Sequence, residues 1–101
     1  MREIEHKKLL TIITPGELQR MVVEQLKKRG IGGYTVVSAT GAGASGLKSG
    51  MLISDSSVII YVIMSEARLQ RVLVDMDKFM SRGYRVKAFY QDIAILPRKP
   101  K

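Results

Sequence analysis

The chain carries the same punctuation twice, and that repetition limits its fold more than any other feature. Lys8–Thr14 (KLLTIIT) reads as a buried strand. Thr14-Pro15-Gly16-Glu17 then has the form of a helix start. Thr14 would be the N-cap, Pro15 would sit at the first helical position where its missing N–H costs nothing, and Glu17 would close a capping box. Leu18, Met21, Val22 and Leu26 follow at helical spacing, Lys27, Lys28 and Arg29 suit the negative end of a helix dipole, and Gly30 is the stop. Tyr34–Thr40 (YTVVSAT) is rich in β-branched residues and reads as a strand. After a glycine-rich stretch the order recurs: a strand over Ser57–Met64, a cap at Ser65, an apolar stripe of Leu69, Val72, Leu73, Met76 and Met80, a stop at Arg82-Gly83, and an extended segment over Tyr84–Leu96. The interval between the two starts nearly equals that between the two stops. Two strand–helix–strand units of one size predict an α+β, ferredoxin-like βαββαβ fold, with four antiparallel strands and two helices on one face.

Two helices cover only one face of such a sheet. Yet Val58–Met64 is apolar throughout except for the amphipathic Tyr61, with no polar alternation, which is the pattern of a strand buried on both sides. The chain has no element left for the second face. Self-association, sheet against sheet, is the favoured reading; a half-exposed strand whose register hides its alternation is the other. The length of 101 residues suits a single domain over 1–101. A domain of that size buries only about 60–65% of its unfolded surface, so association would help it.

The absence of cysteine excludes disulfides, thiolate catalysis and zinc–thiolate sites and fits a reducing cytosol, and one histidine, His6, is too few for a transition-metal site within one subunit. No apolar run approaches the roughly 20 residues of a membrane span. The start, MREIEHKK, lacks the apolar core of a secretory signal, so a cytoplasmic location is expected. The net charge of +8 implies an anionic partner: a nucleic acid, a membrane surface or a phosphate-bearing ligand. Asp55 and Asp92 are isolated carboxylates that read as solvated, as do His6 and the helix-face residues Glu66, Arg68 and Arg71. With no positioned base or carboxylate cluster, no enzyme and no bound cofactor are expected.

Seven of the nine glycines fall in residues 30–50, and Gly41-Ala42-Gly43-Ala44-Ser45-Gly46 is a literal GxGxxG. A dinucleotide fingerprint needs a helix directly after the glycines, and no helical periodicity resumes before Ser65. A Walker A loop needs glycine before its lysine, where Leu47 precedes Lys48-Ser49. Two readings remain. Glycines without Cβ atoms let successive N–H groups converge on an anion, with Lys48 nearby; or the Gly and Ser are the chemistry of a flexible hairpin.

Gly30-Ile31-Gly32-Gly33-Tyr34-Thr35-Val36, followed by Thr40-Gly41-Ala42-Gly43, resembles the PII signal-transduction superfamily, in which a helix ends in a glycine-rich turn, a "G-x-T-V"-like strand follows and a "G-x-G" opens the T-loop. The resemblance extends in element order over nearly the whole chain. It implies a homotrimer with its sheets facing inward and adenine nucleotides in the clefts between subunits. The backbone of Gly41, Ala42, Gly43, Ala44 and Ser45 would then wrap the nucleotide phosphates. Lys87, in Val86-Lys87-Ala88-Phe89-Tyr90, resembles the phosphate lysine of the fourth-strand region, with Phe89 beside it, and Arg98 stands where a further phosphate-binding arginine is often found.

The sequence departs from the usual pattern at Val86 in place of a glycine, at Pro100 in place of a second arginine, and at Gly32 in place of a hydroxyl residue lining the adenine pocket. The T-loop, about 43–55, is short and lacks tyrosine, which excludes uridylylation there. These features resemble the carboxysome-associated, bicarbonate-responsive branch. The resemblance thus implies ADP or AMP as ligand, a response to bicarbonate, and a target protein such as a transporter or carboxysome component that reads the loop; the N–H groups around Ser45, Gly46 and Lys48 are where that small anion is expected. The role implied is regulation of inorganic-carbon metabolism, without catalysis and without DNA.

Three rivals share the architecture. A nucleic-acid-binding module would stack bases on Tyr61, Phe89 and Tyr90 and grip phosphates with the basic tail over 97–101 (PRKPK), although no RNP1-like pattern occurs. A metal-tolerance trimer would want more cysteine and histidine. A ligand-free structural trimer leaves the glycine loop without a purpose.

Overall fold

The computed structural model describes residues 1–41 and 56–98. Four strands and two helices follow in the order β1 (Glu5–Pro15), α1 (Gln19–Lys28), β2 (Thr35–Ala39), β3 (Ser57–Met64), α2 (Glu66–Ser81) and β4 (Lys87–Ile95), with a 3-10 turn at Gly16–Leu18 before α1. The strands form one antiparallel sheet in the order β2-β3-β1-β4, which is the ferredoxin-like arrangement. The β3 bounds are those read from the sequence.

Both helices stop in the same way. Gly30 and Gly83 are the residues with positive φ among those described, at 81° and 93°. Gly30 N–H donates to the Lys27 carbonyl and Ile31 N–H to the Leu26 carbonyl; Gly83 N–H donates to Met80 and Tyr84 N–H to Phe79. Each is a Schellman motif, which a residue with a Cβ closes only under strain. The accompanying apolar pairs are Leu26 with Ile31, both buried, and Phe79 with Tyr84, whose rings meet edge-on at 6.1 Å. At the other end of α2, Ser65 caps as expected, its Oγ accepting from Arg68 N–H at 3.3 Å.

The capping box expected at Thr14 does not form. β1 continues through Pro15, and Thr14 is engaged in the sheet opposite Val58, with its hydroxyl donating to the Arg85 carbonyl at 2.9 Å. A β-branched residue in register with β3, its hydroxyl bonded to the segment before β4, gains more from the sheet than from capping. Pro15 is extended (φ −59°, ψ 146°) and lacks the donor that would carry the ladder further. The α2 stripe is also shifted at its end. Phe79 is buried and Met80 is 41% exposed, because the Phe79 ring lodges against Tyr84 just past the Gly83 turn.

Leu10, Ile12, Val58, Ile60, Val62 and Met64 point from the sheet toward Val22, Leu26, Leu69, Val72 and Met76 of the helices, and all are buried. Arg29, at the end of α1, spans to α2 and grips Asp75 with Nε and Nη2 at 2.7 and 2.8 Å. Asp75 is buried, and the Arg29 guanidinium holds its carboxyl below the ordinary value of 3.8. Lys8 bridges Asp92 across the strands and Glu66 of α2 at 3.0 Å, so two carboxylates read as solvated are both paired, though largely exposed. These partners push the Lys8 ammonium up to about 12, hydrogen bonding to Asp92 first.

A carboxylate with a lowered pKa stabilises the fold above its ordinary pKa and loses that contribution as pH falls through the lowered value; a lysine with a raised pKa contributes below 10.5 and loses it toward about 12. Urea unfolding is therefore expected to show a plateau near neutrality and an acid limb beginning below about pH 4 as Asp75 protonates. Asp75→Asn is expected to lose about 2 kcal/mol at pH 7, because Arg29 can turn toward water, and to show a shallower acid limb. An Asp75→Asn curve parallel to the parent from neutrality through the acid limb contradicts this.

Candidate functional site at one end of the sheet

The alternation of β3 leaves Ile59, Tyr61 and Ile63 on the face opposite the helices. Registers align two rows across that face: Thr35–Tyr61–Thr11–Phe89 and Val37–Ile59–Ile13–Lys87. Val37, Tyr61, Ile63 and Phe89 are exposed, at 42, 37, 49 and 47%. No element among the described residues covers them. Strands with one covered face normally carry polar residues on the other, so an apolar face of this kind marks an interface.

Lys87 closes the second row. It is exposed, and among the described residues no carboxylate lies within ion-pair distance of it. Its end of the sheet gathers the ends of β1 and β2 and the starts of β3 and β4. Ala39 and Pro15 both pair with Ser57, and Gly16 N–H donates to the Ser56 carbonyl at 3.1 Å, fastening the start of β3 to the turn before α1. Gly41 lies just past β2 at this end. A Cβ built on it would meet no atom within 4 Å, so its backbone is open to a ligand's approach.

Gly41, Lys87 and Phe89 are thus placed around one end and one face of the sheet. Arg98 is not with them. It follows β4 at the opposite end, where its carbonyl accepts from Arg2, and the nearly extended chain between puts it about 30 Å from Lys87. One copy of the chain does not bring both cations to one anion. Ala42, Gly43, Ala44, Ser45, Gly46 and Lys48, with the rest of 42–55, lie outside the described residues, as does the tail over 99–101. No group of three His, Asp or Glu residues that would hold a metal ion occurs among the described residues, and no helix there is long and apolar enough to cross a membrane.

Sequence reasoning missed Arg2. Its signal lay in the β1–β4 register: carried on past the pair Glu5–Ile95, it sets Arg2 opposite Arg98.

The sequence model of the family described as nitrogen regulatory protein P-II matches residues 7–96. No curated protein matches the sequence. Among solved structures, a PII-like signaling protein from Thermus thermophilus is similar at a TM-score of 0.77 and 25% identity, covering 95% of this chain and 94% of that one. CPII from Thiomonas intermedia, a nitrogen regulatory PII-like protein, was solved bound to ADP, AMP and bicarbonate; it is similar at a TM-score of 0.82 and 24% identity, covering 96% and 94%. A second CPII structure, bound to ADP and bicarbonate, gives a TM-score of 0.81 at 24% identity, covering 96% and 95%.

Proposed function

Because the chain belongs to the nitrogen regulatory protein P-II family, with residues 7–96 matched, we propose that it is a non-catalytic regulator that binds ADP or AMP between the subunits of a homotrimer. The observation that carries this reading is the separation of the site's parts. The glycine opening at Gly41 and the unpaired Lys87 stand at one end of the sheet, Arg98 at the other, and the face between them is apolar and uncovered among the described residues. Copies that bury that face together can bring the Arg98 end of one to the Lys87 end of the next. A cation in each copy then waits for an anion that the described residues do not supply.

In this reading the phosphates meet Lys87, Arg98 and backbone N–H groups from Gly41 to Ser45. Each charge-assisted bond contributes about 1.5–3 kcal/mol. Phe89 lies next along β4 on the same face as Lys87 and would line the cleft. Bicarbonate would take the N–H groups around Ser45, Gly46 and Lys48. Ordering of residues 43–55 by these ligands would be the signal read by a target protein, and coupling between nucleotide and bicarbonate would be reciprocal. The ligands named in the CPII structures support inorganic carbon as the regulated metabolism.

The test is calorimetry with ATP, ADP, AMP and cAMP, each with and without bicarbonate, alongside light scattering for mass. Saturable ADP or AMP binding by a trimer is expected. Strongly salt-dependent binding of an oligonucleotide, with none of any adenylate, would replace this reading by the nucleic-acid one.

A further inference from the structure

Arg2 lies outside every element, yet its side chain is committed. Nε and Nη2 donate to one acceptor, the carbonyl of Arg98, at 3.2 and 3.0 Å. A guanidinium has five N–H donors in a rigid fork, so this contact leaves three that no other described residue takes. No carboxylate pairs with Arg2 among the described residues, and its charge is therefore not spent on them. The contact falls where the β1–β4 ladder has ended, since the last pair is Glu5 with Ile95. Beyond that pair Pro97 brings no backbone donor, and Ile4 and Leu96 are 55% and 59% exposed, so little apolar packing holds the segment. The fork of Arg2 stands in for the missing ladder. It grips the main chain of Arg98 and makes no demand on that residue's own guanidinium.

We propose that Arg2 is the positioning residue for the C-terminal anion-binding arginine: it fixes the backbone of Arg98 and adds a second cation, with three donors that the described residues leave open, at the phosphate end of the ligand. This rests on the reading of Arg98 as a phosphate cation. The paired arginines set two positive charges side by side on adjoining segments, which a diphosphate satisfies better than a monophosphate. Arg2 thereby bears on the choice between ADP and AMP.

The experiment compares the full chain with Arg2→Ala and Arg2→Lys. Two readouts are taken: affinity for ADP and AMP by calorimetry, and, without ligand, the rate at which trypsin cuts after Arg98, followed by mass spectrometry of the C-terminus. Arg2→Ala is expected to lose about three- to tenfold in ADP affinity, less in AMP affinity, and to be cut faster. Arg2→Lys keeps a charge but cannot fork, so it is expected to recover part of the ADP affinity while its tail is still cut faster. If Arg2→Ala binds ADP like the parent, or if the tail is cut no faster in either variant, the proposal is overturned and the adenylate reading stands. A parent chain that binds no adenylate removes the reading itself, and this inference with it.

Discussion

Tyr61→Glu is expected to turn the assembly into monomers of 11.3 kDa with an intact fold. Tyr61 sits at the middle of β3, between Thr35 and Thr11 on the uncovered face, and is 37% exposed in the single chain. A carboxylate there remains in water as long as the chain is alone, so the helix-side core, built on Ile60 and Val62, is undisturbed. Burying that face against other copies would desolvate the charge, at several kcal/mol per copy. Each subunit of a symmetric ring would incur the cost, so the effect compounds. Light scattering should show about one third of the parent mass, and circular dichroism the parent spectrum. The same variant should lose nucleotide binding if, as proposed, the parts of the cleft come from two chains. A Tyr61→Glu trimer that still binds ADP would require a different interface. Ile60→Glu provides the contrast: Ile60 is buried among the helices, and that variant should not fold.

Lys87→Ala is expected to reduce ADP affinity by about ten- to a hundredfold, the equivalent of one charge-assisted bond, while leaving mass and melting temperature unchanged. The reason for the clean separation is that Lys87 makes no ion pair among the described residues and is exposed at the first position of β4. Its loss withdraws nothing from the fold. AMP, with one phosphate fewer, should lose less. Ionic strength offers a second check, since the remaining dependence of ADP binding on salt should be shallower in Lys87→Ala than in the parent. Equal ADP affinity in parent and variant would place the phosphates elsewhere.

Local chemistry was legible in the sequence. Gly30 and Gly83 announced the helix stops because only glycine takes positive φ freely, and Ser65 announced α2 because its hydroxyl meets an N–H three residues on. The run Ser57–Met64 announced both a strand and an uncovered second face. What was not legible depended on partners distant in sequence. Thr14 had a local use as a cap and a long-range use at Arg85, and the sheet prevailed. Arg29 read as a dipole partner, whereas it spans to Asp75 on the other helix. Lys8, Glu66 and Asp92 meet only because register and helix placement converge on them. The site divides in the same way. Gly41 and Lys87 were nominated from the residues beside them, but the distance separating Lys87 from Arg98 follows from the length of β4, and the Arg2 contact from a register that no single segment encodes.

The fastening of Gly16 to Ser56 has a practical use. Gly16 is far from Ser56 in sequence, yet its amide proton is held by the residue that directly precedes β3. A rearrangement that pulls on Ser56 must stretch or release this proton, so the Gly16 resonance in a nitrogen–proton spectrum is a built-in reporter. Its chemical shift would register any ligand that acts on Ser56, without a label being placed on the segment between β2 and β3.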